Sequence, residues 1–164
     1  SMAALREAKK RGSKVLSIVN VMGSSIARES DYVLYTWAGP EIAVATTKAY
    51  TTQMVLLLMF GVYLAKQSDR MEQEEYMAVT RGLQELPEKI SIVLSDIDHY
   101  QKAASRYFNH NSVFYIGRNL DYALGLEGSL KLKEISYIHS ESYAAGELKH
   151  GTISLIEKGN FYSR

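Results

Sequence analysis

Glu127, Lys131 and Glu134 stand at i, i+4 and i+7 in the stretch LEGSLKLKEISYIH. If that stretch is helical, the three side chains share one face. A carboxylate held near two adjacent carbons can take a proton from one and return it to the other. A neighbouring ammonium lowers a carboxylate's pKa and keeps it ionised, ready to accept. The same spacing is common on solvated helix faces, where a Glu–Lys pair does no chemistry. Spacing alone favours that plainer use.

The trio needs a helix to carry it, and the sequence predicts one from Leu120 to about Tyr137. Its interior has no proline and is rich in Leu, Glu and Lys, all good helix formers. Asn119, after Gly117-Arg118, is placed to cap its first free N–H groups. Leu120, Ala123, Leu124, Leu130 and Ile138 have the spacing of part of an apolar stripe, expected to pack on a core.

Other residues could take part. His150, in GELKHG, lies on a predicted loop; histidine titrates near neutral pH, although a lone loop histidine is ordinarily just solvated. Val44, Ala45 and Thr46 begin a long predicted helix, Val44 to Lys66, after the loop AGPEIA. Free N–H groups there and the Thr46 hydroxyl can hold sugar oxygens or an anion, or can serve only as an ordinary helix start. His139 and Glu141 match no recurrent metal-ligand spacing, so no metal is expected. There is no GxGxxG and no Walker loop to support nucleotide binding.

The rest of the chain alternates strands and helices. A helix over Ala3 to Lys10 ends at Gly12. Lys14 to Val21 reads as a buried parallel strand, Ile26 to Ser30 as one helical turn, and Tyr32 to Thr36 as a second strand. After the long helix, Ser68 to Gln84 is predicted helical with Ser68 or Asp69 as its cap. Pro87 then opens a further helix over Glu88 to Asn109. Val113 to Ile116 is a third strand and Thr152 to Ile156 a fourth, followed by a turn at Glu157-Lys158-Gly159. The rhythm predicts an α/β fold with parallel sheets.

Composition sets the outer limits. The chain has 164 residues, 46% hydrophobic and 23% charged, with a net charge of +1. That suits a globular domain and gives no electrostatic case for nucleic acid or an anionic membrane. Cysteine is absent, which excludes disulfides and thiol nucleophiles and fits a cytoplasmic protein. The longest apolar run, Met54 to Ala65, is shorter than a bilayer span and reads as a buried helix.

Two long stretches carry a family resemblance. LEGSLKLKEISYIHSESYAAGELKHG and NVMGSSIARESDYVLYTWAGPEIAVATTKAYTTQ resemble the isomerase domain of the glucosamine-6-phosphate synthases. These are the glutamine–fructose-6-phosphate aminotransferases, built on the sugar isomerase (SIS) fold. The resemblance covers almost the whole chain, with small departures such as Thr46 where the family often has Ser. It implies a three-layer α/β/α fold with parallel sheets. The chain would span the back half of a first SIS subdomain (residues 3–66), connecting helices (67–110) and the front half of a second subdomain (111–164). The resemblance implies that Glu134 is the proton-transferring base, with Lys131 its neighbour. His150 would help open the sugar ring, supplied to the adjacent subunit, and Val44, Ala45 and Thr46 would lie beside the sugar. It also implies no metal or organic cofactor. The partners would be fructose 6-phosphate and glucosamine 6-phosphate, a second copy of the chain and a glutaminase domain. The family's phosphate loop and imine-forming lysine have no counterpart here, so this chain alone is expected to be inactive. Two rivals are a non-catalytic SIS sugar-phosphate-binding module, which would need no Glu–Lys pair, and a dimerisation fragment.

Overall fold

The computed structural model describes residues 1–156 and 161–163. The chain divides into two compact units, Ser1–Leu86 and Pro87–Arg164. In the first, helix α1 (Met2–Lys10) leads through Gly12, at φ +84°, into strand β1 (Leu16–Val19). Helix α2 (Ser25–Glu29) and strand β2 (Tyr32–Tyr35) follow. Ser24 caps α2, its hydroxyl accepting from the Ala27 N–H at 3.3 Å, as a serine before a helix does. β1 and β2 pair in parallel, Leu16 opposite Tyr32 and Val19 opposite Tyr35. A two-pronged Arg6–Glu29 contact at 2.6 and 2.8 Å ties α1 to α2.

Helix α3 (Lys48–Gln67) starts four residues later than the sequence predicts. Val44, Ala45 and Thr46 lie in the preceding loop, and the residue before the helix, Thr47, makes no side-chain cap. The run AVATT holds β-branched residues that gain little from a helical turn without packing. Nor is α3 the buried helix expected. Only Ala49 and Val62 are buried, while Met54, Leu57, Leu58, Met59, Tyr63 and Leu64 are each about half exposed. By length and composition such a helix is also able to cross a membrane; the same features suit a helix lying between protein layers.

Helix α4 (Gln73–Ser95) corrects two sequence expectations. It begins after Ser68 and Asp69, and it runs through Pro87. Proline removes one i→i−4 hydrogen bond, which makes a boundary there the usual outcome but not an obligatory one. The break falls instead at Asp96, which precedes helix α5 (Ile97–Tyr107).

The second unit is built on strand β3 (Ser112–Gly117), helix α6 (Leu120–Ser136) and strand β4 (His139–Ala144). A further strand, β5 (Phe161–Ser163), completes a parallel sheet of order β4-β3-β5. The polar sequence HSESYA gives no signal of β4. The strand expected at Thr152 to Ile156 is instead a 3-10 turn over Thr152–Leu155. The turn expected at Glu157-Lys158-Gly159 lies outside the described residues.

α6 docks on the sheet through small residues. Ser140 is fully buried, and its hydroxyl donates to the Ser129 carbonyl at 2.8 Å. The Ser129 and Ser140 hydroxyls lie 3.1 Å apart. A Cβ at Gly125 would sit 2.6 Å from the Ser142 hydroxyl, and one at Gly128 would sit 2.9 Å from the Tyr115 ring. The expected apolar stripe therefore does not meet the core: Leu120, Leu124 and Leu130 are exposed. A leucine at the contact would hold the helix away from the strands. The small residues win because close approach closes the serine hydrogen bonds.

Gly117 is the tightest point of this unit. A Cβ there would lie 2.5 Å from the backbone of Asp121 and Tyr122. Gly117→Ala is therefore expected to destabilise the fold by about 1–3 kcal/mol or more, the usual cost of overpacking. Gly82, within α4, has open space around it, and a Cβ there would meet nothing within 4 Å. Gly82→Ala is expected to stabilise by about 0.5–1 kcal/mol, because alanine loses less chain entropy on entering a helix. Urea unfolding of the two variants would show opposite signs.

Candidate active site

α6 brings Glu127, Lys131 and Glu134 together as their spacing implies. The Lys131 Nζ donates to Glu134 Oε2 at 2.6 Å and lies 3.5 Å from Glu127 Oε1. At about 100° per residue, these three lie on the side of α6 away from Gly125 and Ser129. They share that outward side with the exposed Leu120, Leu124 and Leu130. Their side chains keep 24, 17 and 28% of their surface, in chain order, and the Lys131–Glu134 bond lies at the exposed surface, where water and salt screen it.

The helix ends position the trio. Asn119 precedes α6 as expected, but at φ +50° and with no side-chain cap. The Asp121 N–H is instead taken up by the Arg118 carbonyl at 3.0 Å. At the other end Tyr137 adopts the left-handed conformation, φ +61°, and its N–H reaches the Lys133 carbonyl at 3.1 Å. This turn sends the chain directly into β4, so Glu134 sits one turn from the start of a strand.

His150 lies on a 3-10 turn (Leu148–His150) rather than an open loop, and it is exposed. Its backbone N–H bonds to the Glu147 carbonyl at 3.0 Å. Among the described residues its imidazole makes no hydrogen bond or ion pair with Lys131 or Glu134 in the same chain. Val44, Ala45 and Thr46 belong to the first unit, Val44 exposed and the other two half-buried. The loop before them is anchored by Asn20. Its Oδ1 accepts from the Thr36 hydroxyl at 3.0 Å and the Ala38 N–H at 2.9 Å, and its Nδ2 donates to the Gly39 carbonyl at 2.7 Å. Lys48 Nζ holds the Pro40 carbonyl at 2.6 Å. One oxygen of Glu41, Oε2, is buried in this loop with no hydrogen-bond partner.

On β4, His139, Glu141 and Tyr143 share the face turned away from α6 by strand alternation. The Tyr143 hydroxyl donates to Glu141, and His139 Nε2 lies 3.7 Å from the same carboxylate. That bond to Glu141 holds the Tyr143 proton and raises the phenol's pKa. Among the described residues no group of three His, Asp or Glu side chains could hold a metal. A cleft of about 840 Å³ opens at the C-terminal end of β3, lined by Tyr115, Gly117, Arg118, Asp121, Leu124 and Gly125. None of the six candidate residues lines it. Glu127 is the one member of the cluster to which sequence reasoning assigns no role; its i−4 spacing from Lys131 is the available signal.

Each unit carries a parallel sheet, and the second bears the Lys131–Glu134 ion pair on a helix packed against its sheet. The family model for the SIS domain matches residues 1–63 and 106–161, and the chain belongs to that family. Most of α3, through Tyr63, falls inside the match. The chain is 55% identical to the glutamine–fructose-6-phosphate aminotransferase [isomerizing] of Caldanaerobacter subterraneus subsp. tengcongensis, over 97% of this chain and 26% of the relative. It is 56% identical to the protein of the same description from Symbiobacterium thermophilum, with the same coverage. It thus spans about a quarter of the length of these relatives. Among solved structures, it superposes with TM-score 0.92 and 38% identity on the C-terminal domain of glucosamine-fructose-6-phosphate aminotransferase from Francisella tularensis. That match covers 97% of this chain and 45% of the other.

Lys131 gains its carboxylate partners on folding. Its pKa is raised above the usual lysine value of 10.5, chiefly by the hydrogen bond to Glu134, with the charges of Glu134 and Glu127 adding to it. A raised folded pKa means that the stabilisation is full below the unfolded value and is lost as pH rises through the folded one. The gap in unfolding midpoint between the wild type and Lys131→Met is expected to stay constant from neutral pH to about pH 10 and to narrow above it. A pH series of thermal melts would check this.

Proposed function

We propose that this chain is part of the isomerase domain of a glucosamine-6-phosphate synthase. The full-length protein converts fructose 6-phosphate and glutamine-derived ammonia to glucosamine 6-phosphate. The observation that carries this reading is the 2.6 Å Lys131–Glu134 pair, set on a helix whose surrounding sequence matches relatives of that description. Glu134 is the base that moves the proton from C1 to C2, and Lys131 is its charged neighbour. Val44, Ala45 and Thr46 contact the sugar from the loop ahead of α3, with the Thr46 hydroxyl and backbone N–H groups as its hydrogen-bond donors. His150 opens the sugar ring. It acts in the site of a second copy, a reading supported by its exposure and by its lack of a bond to the Lys131–Glu134 pair of its own chain.

The same reading assigns residues 3–66 to the back half of a first subdomain, 67–110 to connecting helices and 111–164 to the front half of a second. The phosphate-binding loop, the imine-forming lysine and a glutaminase domain belong to the remainder of the full-length protein. Its action is placed in the cytoplasm, which an absence of cysteine suits. A two-fold homodimer would cover the apolar α3, using one self-complementary patch on both copies.

Glu134→Gln in the full-length protein is nearly isosteric but cannot accept the proton. It is expected to lower kcat by about 10²- to 10⁴-fold, the general-base share, with folding spared. Solvent deuterium incorporation at C2 at the wild-type rate would overturn the assignment. Size-exclusion chromatography with light scattering tests the second copy: a dimer is expected, and a monomeric full-length protein with full activity would remove His150 from a shared site.

A further inference from the structure

The Lys131 ammonium faces two carboxylates, and only one of them has a role in the reaction just proposed. Glu127 lies one turn N-terminal to Lys131 and Glu134 one turn C-terminal, so the ammonium sits between them along the helix axis. The two distances are unequal, 2.6 Å to Glu134 and 3.5 Å to Glu127. In this arrangement the hydrogen bond occupies one of the two Glu134 oxygens, Oε2. Oε2 takes a proton from carbon only when that bond loosens. The Lys131 side chain keeps 17% of its surface, and Glu127 is the second carboxylate within reach of its ammonium. A covered charge without a partner is costly.

We propose that Glu127 is a positioning residue that takes over the Lys131 ammonium while Glu134 accepts its proton. The inference rests on the reading of Glu134 as the base. A shift of about an ångström, within the reach of the flexible lysine stem, exchanges the short contact for the longer one. The ion pair is kept throughout, and the oxygen of Glu134 is freed. No bond to carbon is made or broken by Glu127, and it carries no proton. An ordinary i,i+4 surface pair would contribute slightly to folding and nothing to the rate. A positioning role predicts the reverse.

The test uses the full-length protein with Glu127→Gln, Lys131→Met, the double variant and Glu134→Gln. Glu127→Gln is expected to lower kcat about ten- to a hundred-fold, part of the general-base share, with KM for fructose 6-phosphate within about three-fold and the melting midpoint unchanged. On the Lys131→Met background the same change should cost nothing more, because there is no ammonium left to share. Wild-type kcat in Glu127→Gln overturns the proposal. So does an equal loss with and without Lys131, or a loss confined to KM or to stability. Should Glu127→Gln not fold, Glu127→Asp retracts the carboxylate by one methylene: an intermediate kcat with unchanged KM is expected, and wild-type kcat overturns the proposal. Glu134→Gln separates the two readings. If it keeps wild-type turnover, the base is misassigned; if it is inactive while Glu127→Gln is fully active, only the positioning role falls.

Discussion

The second unit depends on the close approach of α6 to its sheet. Gly125, Gly128 and Ser129 present almost no side chain, and Tyr115, Ser140 and Ser142 fill the space beneath them. That contact fixes the rotation of the helix about its own axis. Once Gly125 and Ser129 face the strands, Glu127, Lys131 and Glu134 must face the other way. Gly117 supports the arrangement at the β3–α6 turn, where the backbone leaves no room for a Cβ. The candidate cluster is thus oriented by small and uncharged residues.

This constraint also explains what the sequence conceals. An apolar stripe is normally read as the buried side of a helix, yet Leu120, Leu124 and Leu130 lie outward here. Strand β4 is hidden for a related reason. HSESYA has no apolar alternation, because the positions under α6 are serines, which suit it by size and hydrogen bonding. The reverse holds for TISLI, whose composition suits a strand and whose local turn bonds, Ser154 to Gly151 and Ile156 to Ile153, win. Strands β1, β2 and β3 are legible because their β-branched and aromatic residues suit a parallel sheet, although β1 is only Leu16–Val19 and no residue of β1 or β2 is buried as the sequence leads one to expect. At Pro87 the local rule points to a helix start, and the long helix around it overrides that rule.

The site is legible in part. The i, i+4, i+7 spacing implies that Glu127, Lys131 and Glu134 meet, since helix geometry alone brings them together. It does not say which carboxylate holds the ammonium at 2.6 Å, because that is settled by rotamers and cover rather than by spacing. The helix start expected at Val44 is misplaced because backbone N–H groups near a helix end carry no sequence label finer than a few residues. His150 and the Val44–Thr46 loop draw their roles from the family resemblance, since an exposed histidine and a loop of small residues are common without function.

The charge of the cluster bears on how a substrate would lie. Two carboxylates and one ammonium leave a net negative charge on the outward side of α6. A phosphate brought to that side would be repelled, the more so where cover keeps water from screening it. Fructose 6-phosphate carries its phosphate at C6, while the proposed proton transfer takes place between C1 and C2 at the opposite end of the open chain. The repulsion and the chemistry therefore ask for the same orientation: reactive carbons against Glu134, phosphate held elsewhere by donors of its own. The apolar side chains beside the trio fit this division. Leu120, Leu124 and Leu130, exposed beside the trio, offer nothing to an anion.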